Sequence, residues 1–110
     1  MAETYKNARL AITNSEQTMY TTPGSTSSVL VSLRVTNIDG SADDTVTVVI
    51  RDGSATADTQ VASTITVPAD STLSITGSDK MFLEATDSIK ITGGAASGDL
   101  IAFASILEIT

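Results

Sequence analysis

The sequence predicts an all-β protein, namely an antiparallel β-sandwich of about eight strands with a jelly roll as the preferred topology. Apolar and polar residues alternate in nearly every segment, which is the period of a strand with one buried face. Of the 110 residues, 32 are Ser or Thr, and no apolar stripe of helical spacing is present. Thr and Val favour strands. An immunoglobulin-like sandwich stays open as an alternative, although the chain lacks the Cys and Trp of antibody domains.

The N-terminal part of the chain contains a predicted strand at 8–13 and a short strand or bend at 18–22. The first of these alternates Ala8, Leu10 and Ile12 with more polar residues. A Pro-Gly-Ser turn follows the second. The length of the chain suits a single domain that spans residues 1–110.

The strongest alternation lies at 28–36 and 45–51, on either side of an Asp-Gly turn signal. In the first segment Val29, Val31, Leu33 and Val35 are assigned to the core, and Leu30 falls on the other, mostly polar face. Pairing the two segments as a hairpin would place Val35 near Val46 and Leu33 near Val48. The sequence therefore predicts one hairpin whose core faces match.

The C-terminal half contains predicted strands at 61–67, 72–76, 81–83 and 88–92, with turns at 77–79 and 84–87 and a flexible glycine-rich turn at 93–98. Ile65 is expected in the core, as are Phe82 and Phe103. Tyr20 is expected to be partly exposed. Aromatic residues make up only 4% of the chain, which is few for a sugar-binding platform.

The last predicted strand, at 99–109, is apolar on both sides. Ile101, Phe103, Leu107 and Ile109 share one side. Two interpretations of the other side are open: it lies under a loop or beside the first strand, or it forms a subunit contact. The second interpretation adds two residues from otherwise polar faces, so the candidate interface consists of Leu30, Val49, Leu100, Ala102, Ala104 and Ile106.

Charge and composition argue against several functions. Thirteen acidic residues against six scattered basic ones give a net charge of −7, so a nucleic-acid-binding surface is not expected. The chain has neither Cys nor His, which removes disulfides, thiolate chemistry and histidine-based sites. The first residues do not resemble a secretory signal, and no apolar run is long enough to span a bilayer. We therefore expect a protein made in the cytoplasm, without a membrane or nucleic-acid partner.

Candidate catalytic and metal sites are weak. Glu16, Glu84 and Glu108 are not placed in pairs by any pattern, and the many Ser and Thr residues lack a base to activate them. We expect no enzyme activity and no cofactor. Acidic residues crowd two loops, but their spacing differs from that of a calcium-binding EF-hand loop, and a Ca²⁺ site stays open there; the residues are Asp39, Asp43, Asp44, Asp52 and Asp58.

Several segments resemble small all-β proteins of phage virions. The resemblance covers roughly residues 17–110 and is carried by five segments. They are Met19-Tyr20-Thr21-Thr22-Pro23-Gly24, Val35-Thr36-Asn37, Pro68-Ala69 with Thr72-Leu73, Glu84-Ala85-Thr86-Asp87-Ser88-Ile89 and the final Leu107-Glu108-Ile109. The resemblance implies a cement or decoration protein of the virion that bridges major capsid protein subunits as a homotrimer. A receptor- or carbohydrate-binding module of a tail or fibre is the alternative, and a connector or tail-tube component is a third reading.

Overall fold

The computed structural model describes residues 2–77, 79–94 and 99–110. These residues form nine strands and no helix, and therefore no helix that could cross a membrane. The strands are β1 (Glu3–Ile12), β2 (Gln17–Thr21), β3 (Ser27–Asn37), β4 (Asp44–Asp52), β5 (Ala57–Val67), β6 (Thr72–Ser74), β7 (Met81–Leu83), β8 (Ser88–Gly93) and β9 (Leu100–Ile109). Ser78, in the predicted turn at 77–79, and residues 95–98, in the predicted glycine-rich turn, lie outside the described residues.

The strands form two antiparallel sheets that pack face to face. Sheet I has the order β1-β9-β3-β6, with β7 also pairing with β3, and sheet II has the order β2-β8-β4-β5. The pairs are nested from the ends of the chain inward, because β1 pairs with β9, β2 with β8, β3 with β6 and β7, and β4 with β5. This nesting is the path of a jelly roll, in which a long antiparallel ribbon wraps into two sheets. The predicted fold class is confirmed.

The hydrophobic core lies between the inward faces of the two sheets. Sheet I contributes Leu33, Ala102 and Ile106, and sheet II contributes Val48 and Ile91; each of these residues is at most 1% exposed. Ala104 of β9 lies opposite Leu33 of β3. Small residues beside large ones let the side chains interdigitate at native density.

The prediction for β3 is wrong at its N-terminal end. The pairing of β3 with β9 shifts register between Leu30 and Ser32, which makes Val31 the extra residue of a β-bulge. Beyond the bulge Leu33 and Val35 are buried as predicted. Before it the faces are exchanged, so Leu30 is 0% exposed while Val29 and Val31 are only half-buried.

The predicted hairpin of β3 and β4 is also wrong. The two strands belong to different sheets, so the loop between them crosses from one layer of the sandwich to the other. The residues expected to match, Val35 with Val46 and Leu33 with Val48, belong instead to one core cluster to which both sheets contribute. Ile65 was expected in the core and is 39% exposed. It lies opposite Val46 on the inward side, but β5 is the edge strand of sheet II and is less well covered than the centre.

Candidate assembly surface

The outward face of sheet I carries a row of apolar side chains that crosses four strands. Tyr5 of β1 lies opposite Leu107 of β9, Leu107 lies opposite Val29 of β3, and Val29 lies opposite Phe82 of β7. Tyr5 is 79% exposed and Phe82 is 63% exposed. Directly opposed side chains on one face of a sheet stand about 5 Å apart, so the row forms one continuous strip.

Phe103 extends this strip toward the other end of the sheet. It lies opposite Arg9 of β1 on one side and Arg34 of β3 on the other, and it is 43% exposed. Both arginines are exposed, and neither makes a salt bridge within the described residues. A guanidinium beside an aromatic ring favours cation–π contact. We call Tyr5, Val29, Phe82, Phe103 and Leu107 the aromatic face. It joins apolar area to local positive charge on a protein whose net charge is −7.

The bulge at Val31 shapes a shallow depression in the aromatic face. The depression has a volume of about 290 Å³, and its walls include Tyr5, Val31 and Phe103. Because both Val31 and Ser32 fall between the inward residues Leu30 and Leu33, the outward surface is locally uneven. The remaining walls include Lys6, Asn7 and Ser105, so the depression combines apolar area with polar groups.

The outward face of sheet II has a different character. Thr47 lies opposite Thr92, and the Lys90 ammonium donates a hydrogen bond to Thr18 Oγ1 at 2.6 Å. Arg51 forms a two-pronged ion pair with Asp58, with distances of 2.6 and 2.9 Å. Hydroxyls and paired charges suit contact with water, so the two outward faces of the sandwich are chemically distinct.

A buried polar network ties the two sheets together at one end of the sandwich. The Tyr20 hydroxyl of β2 makes a short hydrogen bond to Glu108 Oε2 of β9 and lies 2.8 Å from Ser28 Oγ of β3. Lys6 Nζ of β1 lies 3.2 Å from Glu108 Oε1. Glu108 is 7% exposed, and these partners satisfy both of its oxygens. The network therefore links four strands directly beneath the aromatic face.

The pKa values of Tyr20 and Glu108 are shifted in opposite directions by their contact and burial. Burial raises the pKa of Tyr20 to about 12, and its hydrogen bond to Glu108 adds to that effect. The hydrogen bond from Tyr20 lowers the pKa of Glu108, and Lys6 lowers it further. At neutral pH a neutral phenol therefore donates to an ionised carboxylate, which is a strong hydrogen bond.

The acidic loops use carboxylates to hold turns. Asp39 Oδ1 accepts hydrogen bonds from Ser41 N at 2.9 Å and Ala42 N at 3.2 Å, and Asp52 does the same for the two residues that follow Gly53. The backbone N–H of Ser41 lowers the pKa of Asp39 most, whereas the pKa of Asp52 is lowered most by the hydroxyl of Ser54, which donates to Oδ1 at 2.8 Å, and then by the backbone N–H groups. Among the described residues, no three acidic side chains gather in a way that could hold a metal ion.

Comparison with known proteins shows the fold and no family. The chain is similar to a protein from Bacillus endospore appendages, described as a family of disulfide-linked pili, with a TM-score of 0.57 and 19% identity over 99% of this chain and 87% of that one. It is also similar to a protein of infectious bursal disease virus, Gx strain, with a TM-score of 0.52 and 11% identity over 98% of this chain and 30% of that one. No family model and no curated protein matches the chain.

The residues predicted as an interface lie elsewhere in the molecule than expected. Five of them belong to the hydrophobic core and are at most 1% exposed: Leu30, Leu100, Ala102, Ala104 and Ile106. Val49 does face outward, opposite Lys90 on sheet II, but is only 8% exposed. The two sides of β9 are thus the reverse of the prediction. That β9 contributes to a subunit contact stays a prediction.

Sequence reasoning missed most of the aromatic face. Phe82 and Phe103 were expected in the core, and Tyr5 was not assigned to a strand. One signal was present, because residues 99–109 are apolar on both sides and one side has to face away from the core. The alanines on one side of this segment could have indicated which side faces the core, since small residues fit between two closely packed sheets.

Proposed function

We propose that this protein is a non-enzymatic structural protein of a virus particle, a cement or decoration protein that binds the major capsid protein of a phage head from outside. The observation that carries the proposal is the aromatic face. A monomeric sandwich has little reason to expose an apolar row across four strands, whereas burial of such a row on a partner is favourable. The two arginines beside Phe103 would meet an acidic or carbonyl-rich patch of the capsid.

The fold and the two comparisons support a structural role. The two similar proteins come from assembled structures, namely pili and a virus. The pili are described as disulfide-linked, whereas this chain has no Cys. Any assembly that it enters is therefore held without disulfides from this chain. If each copy of this protein binds the assembled capsid more tightly than it binds free capsid subunits, many copies together stabilise the head by mass action, even when each contact is weak.

Copy number tests this proposal most directly. A cement protein is present in hundreds of copies per particle by quantitative mass spectrometry, whereas a tail, fibre or connector protein is present in a handful. We expect hundreds, and we expect purified protein to rebind heads from which it has been removed. A handful of copies would contradict the cement role.

Substitutions on the aromatic face test how the protein binds. Phe82→Ser should weaken rebinding to heads by tenfold or more, since buried aromatic anchors contribute on the order of 2 kcal/mol at interfaces. Ile38→Ser is the matched control, because Ile38 lies in a loop and is 61% exposed, close to the 63% of Phe82. Equal binding by both variants would place the contact somewhere else on the molecule.

A receptor- or carbohydrate-binding role on a tail or fibre is the second candidate, and one cavity favours it. This cavity, of about 520 Å³, is lined by Phe82 and Glu84 together with the hydroxyl residues Ser25, Thr26 and Ser27. An aromatic ring, a carboxylate and hydroxyls are groups that bind sugars by stacking and hydrogen bonds. Binding on a glycan array that is lost in Glu84→Gln, combined with low copy number, would favour this role over cement.

A further inference from the structure

The four sheet edges of this sandwich are not equally protected against pairing with another chain. In sheet I, the edge opposite β1 consists of β6 and β7, which have three residues each. In sheet II, β2 has five residues and a register shift. β5 is long, but its pairing with β4 shifts register twice, and Thr64 has a φ of 49°. Short strands and bulges are two of the devices that keep an edge from pairing.

The remaining edge, β1, has neither of these devices. It has ten residues and pairs with β9 from Glu3 to Ile12 without a register shift. Ala2 and Thr110 exchange backbone hydrogen bonds of 3.1 and 2.9 Å. Because hydrogen-bonded pairs alternate in an antiparallel ladder, the even-numbered residues of β1 bond to β9. The odd-numbered ones direct their N–H and C=O groups away from the sheet, where the described part of the chain places no strand.

We propose that β1 pairs antiparallel with β1 of a second copy of this chain, around a two-fold axis at Asn7, so that sheet I continues across two subunits. An identical strand is a suitable partner because it offers the same row of free groups at the same spacing. The contact is isologous, so each outward N–H of one copy meets an outward C=O of the other. Tyr5 and Arg9 also belong to the proposed capsid contact, but this inference does not depend on that contact, because the pairing is made by backbone groups at the edge of sheet I.

The charges on β1 favour this partner, and Lys6 near its centre favours this register. Glu3 and Arg9 lie near opposite ends of the strand. With the axis at Asn7, Glu3 lies diagonally beside Arg9 of the partner subunit. With the axis at Asn7, Tyr5 lies opposite Arg9 of the partner subunit, where the guanidinium can cover a ring that is 79% exposed in the monomer. An axis at Lys6 would instead place two lysines opposite each other, which is unfavourable.

Proline substitution at Asn7 tests the pairing with little effect on the monomer. The N–H of Asn7 points away from β9, so Asn7→Pro removes no hydrogen bond of the sandwich, and edge strands accept proline at such positions. We expect wild-type protein to sediment as a dimer and Asn7→Pro as a folded monomer. Asn7→Ala is the matched control and should remain dimeric, because it keeps the backbone N–H. A monomeric or trimeric wild type, or a dimeric Asn7→Pro, would overturn the proposal.

Hydrogen exchange keeps the test decisive should Asn7→Pro fail to fold. In the wild-type dimer the amides of Tyr5, Asn7 and Arg9 should exchange slowly, and dilution to the monomer should make them fast. The amides of Lys6 and Ala8, which bond to β9, should stay slow in both states. Fast exchange of the odd-numbered amides at high concentration would show a free edge and overturn the pairing.

Charge reversal tests whether β1 pairs antiparallel with itself. Glu3→Arg and Arg9→Glu should each weaken the dimer by about tenfold, and the double variant should recover part of the loss because the opposite charges meet again. Phe82→Ser should leave the dimer intact while it weakens head binding, since β7 lies at the opposite edge of sheet I from β1. Loss of the dimer in Phe82→Ser, or no recovery in the double variant, would refute antiparallel pairing through β1.

Discussion

Replacing Leu30 and Val31 separately with alanine tests the bulge that organises β3. The two residues are neighbours, but Leu30 is 0% exposed in the core while Val31 is half-buried on the aromatic face. Strict alternation along β3 would predict the reverse order of burial. The two substitutions therefore ask which of the two side chains fills the space between the sheets.

The magnitudes follow from burial. Leu30→Ala removes three carbon atoms from the core, worth about 2.4 kcal/mol at about 0.8 kcal/mol per carbon. The cavity that remains raises the total to about 2–5 kcal/mol. Val31→Ala removes two partly solvated carbons and leaves an open space, so it should cost about 1 kcal/mol or less. Since domains of this kind are stable by about 5–15 kcal/mol, only Leu30→Ala should shift the unfolding midpoint strongly.

Urea denaturation followed by far-ultraviolet circular dichroism measures both costs. The slope of the free energy of unfolding against urea should be unchanged, so that a shift in the midpoint reports stability. A Val31→Ala cost equal to or greater than that of Leu30→Ala would refute the bulge and restore the alternation predicted from sequence.

Three further predictions concern the polar network and a tight backbone approach. The pKa of Glu108 is lowered in the folded protein, so its ionised side chain stabilises the fold fully at a pH above the ordinary pKa of glutamate. This stabilisation is lost as the pH falls through the lower pKa of the folded state. Glu108→Gln should therefore make unfolding less sensitive to acid, as measured by thermal melts across pH. The pKa of Tyr20 is raised to about 12, so its contribution is lost as pH rises from about 10 toward that value, and Tyr20→Phe should remove this alkaline loss. Gly53→Ala would place a Cβ against the Thr86 backbone and should lower stability by about 1–3 kcal/mol in urea, whereas Gly24→Ala, with nothing within 4 Å, should cost far less.

Most strand positions were predictable from sequence because alternation is a local property. The predicted segments 28–36 and 45–51 correspond to Ser27–Asn37 and Asp44–Asp52. The first strand was predicted to begin at residue 8, yet β1 begins at Glu3. Its first residues show no alternation of apolar and polar character because both of their faces are largely solvated at the edge of the sheet.

The pairing of the strands, and the side of each strand that faces the core, could not be predicted from short stretches of sequence. The crossing of β3 and β4 between sheets is decided by how the whole ribbon wraps, because either arrangement buries the same apolar faces. The two sides of β9 are both apolar, so the core side is set by what packs against it. Phe103 was expected in the core but is 43% exposed, so the expectation for this residue gave the wrong side of β9.

The bulge explains how β3 serves two environments that strict alternation would separate. Ser28 must face inward to reach Tyr20, and Leu33 must face inward to fill the core. These positions are an odd number of residues apart, so in a regular strand they would lie on opposite faces. The extra residue at Val31 brings both inside, and the same insertion leaves the depression on the aromatic face. Deleting Val31 would therefore disturb either the polar network or the core, and it would flatten the outward surface that we propose binds the capsid.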